Sequence, residues 1–121
     1  MRYVCLVYFD EQDLAGFQGP ERAVLDRESG AYDDQLDAEG RLVVAHALQP
    51  TRTAKTVRVR EGRVSATDGP FMETREVLGG FILIDAADMD EAVAIAAGIP
   101  LAQRGAVEVR PIMNFRRPEG G

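Results

Sequence analysis

Two short segments constrain this chain more than anything else in it: residues 3–9 and 81–84 are apolar on both faces that a strand would present. In the first, Tyr3, Cys5, Val7 and Phe9 fall on one side and Val4, Leu6 and Tyr8 on the other, because successive side chains of a strand point in opposite directions. Such a strand has to be covered twice. A chain of 121 residues suffices for one domain and one core, so its own helices can cover one side of the sheet. The simplest cover for the other side is a second copy bringing the same bare face, since twofold homodimers are the commonest assemblies. The pattern therefore predicts a homodimer.

The rest of the chain supplies the helices. Gly19-Pro20 reads as a helix start, with proline at the first helical position. The helix runs to about Glu39, with Leu25, Tyr32 and Leu36 on one stripe and Gly40 as its stop, and Ser29-Gly30 weakens its middle. Residues 41–48 form a second strand closed by Gln49-Pro50. Residues 57–60 and 63–67 alternate around Glu61-Gly62 as a β-hairpin. Asp68-Gly69-Pro70-Phe71 is turn chemistry, and residues 72–78 read as an irregular or helical connection. In the second helix, Asp88 and Glu91 have capping-box spacing, and Ala92, Ile95, Ala96 and Ile99 repeat at helical period. Residues 107–113 form a last strand, and residues 116–121 a loose tail. Without the hairpin the order is βαββαβ, an α+β fold of ferredoxin-like type with an inserted β-hairpin, one domain over residues 1–115.

Composition excludes several classes. The net charge of −6 disfavours nucleic acid, whose partners carry a basic face. The basic stretch Arg52, Lys55, Arg58, Arg60 and Arg63 reads as a solvated hairpin face rather than a phosphate patch, since alternation sets Arg58 and Arg60 side by side. One cysteine and one histidine allow neither an internal disulfide nor a structural zinc site, and no metal or other cofactor is expected. Cys5, without basic neighbours, reads as a small buried hydrophobe. No apolar run reaches the ~20 residues needed to cross a bilayer. The apolar N-terminus ends in Asp10 and Glu11 without a cleavage site, so it reads as a strand of a cytoplasmic protein.

From Ala66 through Asp68-Gly69-Pro70-Phe71 to Gly79-Gly80-Phe81 the sequence closely resembles the DGPF branch of the YCII-related family. Gly40-Arg41-Leu42, Ala47-Leu48-Gln49-Pro50 and Val107-Glu108-Val109-Arg110-Pro111-Ile112 agree with it, so the resemblance covers nearly the whole chain. It implies a dimeric α+β barrel of ferredoxin-like subunits. One better-known relative removes chloride from a chlorinated hydroxyquinol, and DGPF members are often encoded beside extracytoplasmic-function sigma factors. A His–Asp pair is discussed for the YCII branch, with its histidine on the first helix. This chain has no histidine there, and His46 lies on the second strand, so the pair does not transfer by position.

His46 is the chain's one histidine, the residue type whose unperturbed pKa lies near neutrality, hence the natural general acid or base, unless it is a core histidine satisfied by a carbonyl. Asp68 either fixes its turn through backbone amides or turns its carboxylate into a cleft toward His46. Glu73, in a charged run with Arg75 and Glu76, is either solvated surface or a second carboxylate of that cleft. Phe71 is a core plug or the floor of an aromatic-ligand pocket. Tyr8 and Arg110 are cross-strand residues or binders of an anionic substrate. Two functions follow. One is a cofactor-independent lyase or isomerase using His46, Asp68 and Glu73. The other is a non-catalytic ligand-binding or interaction protein serving a sigma-factor circuit.

Overall fold

The two doubly apolar segments lie side by side at the centre of a four-stranded antiparallel sheet in the computed structural model, which describes residues 1–16 and 19–113. The elements are β1 (Arg2–Asp10), α1 (Glu11–Ala15), α2 (Pro20–Ala38), β2 (Leu42–Ala47), β3 (Lys55–Arg60), β4 (Arg63–Asp68), β5 (Glu76–Asp85), α3 (Met89–Ala97) and β6 (Ala106–Pro111). Short 3-10 turns occupy Thr51–Thr53 and Pro100–Gln103. The sheet order is β2-β5-β1-β6, and β3 and β4 pair only with each other. This mixed α+β arrangement is consistent with a ferredoxin-like fold. No helix among the described residues is long and apolar enough to cross a membrane. The expected tail, residues 116–121, lies outside the described residues.

Register assigns the faces. Tyr3 pairs with Ile84 and Cys5 with Ile82, and these four are buried with Val7, Leu36 of α2, Ala92, Ile95 and Ala96 of α3, and Ile99. Both helices therefore cover this one face. The opposite face carries Val4 against Leu83, Leu6 against Phe81, and Val44 and His46 of β2 against Leu83 and Phe81. None of these six is buried. On β6 the same face turns polar, with Glu108 opposite Leu6 and Arg110 opposite Val4.

Caps fall where the sequence puts them. Asp88 accepts a hydrogen bond from the Glu91 amide at 2.9 Å, which satisfies one orphan donor of the helix start, and the Glu91 carboxylate reaches back to the Ala87 amide, one residue before the cap, at 3.2 Å. Gly40, at φ +73°, ends α2 and lets the Arg41 amide reach the Leu36 carbonyl, the left-handed stop that glycine makes without strain.

Two stretches differ from expectation. Residues 72–78 are not a helical connection throughout, because β5 already begins at Glu76. The strand runs five residues beyond the apolar segment on this side because a bulge absorbs Gly79: Val7 pairs with Gly80 and Tyr8 with Leu78. The Phe9 ring lies where a Cβ on residue 79 would project. The short helix α1 follows β1 directly, a helix that the sequence pattern does not announce. Asp10 starts it by accepting from the Gln12 amide at 2.8 Å and the Asp13 amide at 3.4 Å.

Candidate functional site

β5 runs antiparallel to both β1 and β2, so β1 and β2 run parallel with β5 between them. The chain therefore leaves β1 at Asp10, leaves β2 at Ala47 and enters β5 at Glu76 from one end of the sheet. Three connections meet there. On the helix side of that end, under α1 and α2, opens a cleft of about 590 Å³. Phe9, Leu14, Leu25, Leu48, Leu78 and Leu101 give it an apolar lining.

Its polar groups are few. Glu11 leaves the end of β1, and its carboxylate accepts two hydrogen bonds from one residue beyond β2: Oε2 from the Thr51 amide at 2.8 Å and Oε1 from the Thr51 hydroxyl at 2.5 Å. That clasp ties together segments forty positions apart in sequence and fixes the carboxylate in the cleft wall. Arg22 and Asp26, one turn apart on α2, pair at 3.1 Å and neutralise each other. Arg52 lines the cleft with no hydrogen-bond or ion-pair partner among the described residues. The volume and the mostly apolar walls with a few convergent polar groups are those of a small-molecule site.

A second, charged cleft of about 520 Å³ lies behind it. Glu11, Thr51 and Arg52 belong to both and form the partition. Its other wall is the turn at Gly69 and Pro70, followed by Glu73 and Arg75, and Arg75 pairs with Asp10 at 3.5 Å. Gly69, at φ +100°, has a backbone only glycine adopts freely, and its amide donates to the Ala54 carbonyl at 2.8 Å. That bond and the Thr56 hydroxyl on the Gly69 carbonyl at 2.9 Å hold the turn against the start of β3.

The residues singled out by sequence are dispersed. His46 is exposed on the helix-free face, its ring edge-on to Phe81 with centroids 5.8 Å apart, so the core-histidine alternative is corrected: β2 is an edge strand and leaves its end open. It also lines a small cleft of about 140 Å³ together with Tyr32 and Asp33. Burial, with Asp34 beside it, raises the Asp33 pKa above its ordinary value. Asp68 is exposed and bonded to Lys55 across the hairpin. Glu73 lines the charged cleft, which His46 and Asp68 do not. Among the described residues no hydrogen bond or ion pair joins any two of these three. Phe71 is 66% exposed beneath the Arg58 guanidinium, 4.9 Å from the ring centre, so it is no core plug. Tyr8 is half-buried opposite Ala106 and Leu78. Arg110 is exposed and pairs with Glu108 at 3.8 Å.

Glu11, Thr51 and Arg52 were not singled out as a site by sequence reasoning. The available signal was topological: in a βαβ unit the strands are parallel, so an acidic residue just past the first and a Thr-Arg pair just past the second arrive at one end.

A ferredoxin-like α+β domain with a ligand-sized cleft at one end of its sheet is the class that fold and site define. The model of the YCII-related domain matches residues 1–116, and the chain belongs to that family. An uncharacterized protein of Rhizobium meliloti (strain 1021) is 36% identical over 121 residues, spanning 98% of each chain.

Proposed function

We propose that this protein, a DGPF-type member of its family, is a cytoplasmic homodimer that binds a small, largely apolar molecule in the cleft under α1 and α2. The carrying observation is the cleft itself: about 590 Å³ of apolar-walled space with one clasped carboxylate and one guanidinium that has no partner among the described residues. The half-exposed apolar face of Val4, Leu6, Phe81, Leu83 and Val44 supports the dimer, because an unpaired sheet face of this kind favours self-association. Thermal-shift screening of apolar fragments tests the binding, with Leu48→Trp, which fills the cleft mouth, as control. Hits that stabilise the native protein and lose their effect in Leu48→Trp are expected. Hits indifferent to that substitution would refute the assignment. Light scattering tests the dimer separately, and a stable monomer at micromolar concentration would refute it.

A cofactor-independent lyase or isomerase is the second reading, favoured by the fixed Glu11 carboxylate in the cleft wall with Glu73 beyond the partition. A held carboxylate in an apolar site is suited to proton abstraction. His46, the expected general acid or base, lies on the opposite face of the sheet, and Asp68, expected to orient it, is paired with Lys55 on the hairpin, so neither lines this cleft.

A further inference from the structure

Resting on the reading of the large cleft as a ligand site, we infer its substrate class: an apolar carboxylic acid with a hydrogen-bond donor on the neighbouring carbon, a 2-hydroxy or 2-amino acid with an aryl or branched alkyl side chain. Four charged groups line the cleft, and they are not equally available. Arg22 and Asp26 pair with each other at 3.1 Å, which leaves Arg52 and Glu11. Arg52 has no partner among the described residues. A guanidinium is the side chain best matched to a carboxylate, through two parallel N–H donors. It sits at the partition, on the residue next to Thr51, so an acid bound there keeps its charge near solvent.

Glu11 supplies the second half of the recognition. A carboxylate has about four acceptor positions on its two oxygens, and Thr51 occupies one on each. The remaining positions can accept from a ligand hydroxyl or ammonium but offer nothing to a second anion. The backbone places these two requirements side by side, because the residue that clasps Glu11 directly precedes Arg52. A ligand with both groups on adjacent atoms satisfies the pair, and its side chain then lies along Phe9, Leu25, Leu48 and Leu101. A plain hydrocarbon would leave Arg52 unpaired, and a dianion would meet Glu11.

Four probes of one size separate the terms: 3-phenyllactate, phenylalanine, 3-phenylpropanoate and 2-phenylethanol, titrated into the full chain by calorimetry or NMR. Phenyllactate and phenylalanine are expected to bind most tightly, with phenylpropanoate weaker by about fivefold for want of the donor. Arg52→Gln is expected to weaken the three acids by about tenfold and leave the alcohol within about twofold. Glu11→Gln is expected to reduce the advantage of the two donor-bearing acids over phenylpropanoate. Acids that bind no better than the alcohol, or that ignore Arg52→Gln, overturn the substrate class but leave the cleft standing if Leu48→Trp still abolishes binding. Failure of all four probes to bind the native protein overturns both readings.

Discussion

Replacing Thr51 by valine keeps the shape of the side chain and removes one hydroxyl, so it measures the Glu11 clasp with little else disturbed. The Glu11 Oε1 atom loses its 2.5 Å hydrogen bond, while the Thr51 amide still donates to Oε2 at 2.8 Å. A hydrogen bond to a charged group contributes about 1.5–3 kcal/mol net, more when buried. Glu11 and Thr51 are both only half-buried, and water reaching Oε1 recovers part of the loss. The expected destabilisation is therefore about 1 kcal/mol, which for a domain of this size lowers Tm by roughly 3–6 °C. Urea melts of the native protein, Thr51→Val, Glu11→Gln and the double variant isolate the pairwise term, with a coupling of about 1 kcal/mol expected. Purely additive losses, within about 0.3 kcal/mol, would refute the claim that this contact joins the ends of β1 and β2.

Two glycines are expected to rank by mechanism. Gly69→Ala costs about 1 kcal/mol through its φ of +100° alone, since the space around it is open. Gly105→Ala costs about 2 kcal/mol or more, because its Cβ would meet the Tyr8 carbonyl and Phe9 Cα, which are backbone and cannot swing aside; urea melts in the reverse order would contradict this. Burial pushes the Cys5 thiol up to about 11, so it should resist thiol reagents at pH 8 until the protein is denatured. Because the folded value lies above the ordinary 9.0, that contribution to stability should fall as pH rises from 9 toward 11. The raised pKa of Asp33 works in the same direction at lower pH: the protonated form is favoured on folding, and stability is lost as the carboxyl ionises. Asp33→Asn should therefore melt higher than the native protein at pH 7 and lose that advantage below about pH 3.8, the ordinary value.

Most of the scaffold could be read from the chain because its signals are local and redundant. The two-sided apolar runs became the central strands, Asp88 and Glu91 capped α3, and Gly40 ended α2. The start of β5 was hidden because Gly79-Gly80 and the charged residues before it look like a break, and only the bulge opposite Val7 reconciles them with pairing. α1 was hidden because five residues carry too little periodicity to register. The candidate site was harder still. Side-chain alternation placed His46 on the right strand, but no local rule says which side of the sheet the helices cover. That side decides whether His46 faces the cleft or the open face. Glu11, Thr51 and Arg52 carry no motif, and their meeting depends on strands that pair only in the finished fold.

The Leu48 amide donates to the Gly79 carbonyl at 2.8 Å, so the segment from Gln49 to Arg75, which ends where β5 begins, leaves and re-enters the sheet at one end of it. A segment closed at its neck can be lengthened, shortened or exchanged without altering the sheet it hangs from. Descendants of such a domain can diverge in what they hold while inheriting the same core unchanged. For an engineer, the same neck marks where a loop library can be grafted with both anchor points fixed a single hydrogen bond apart.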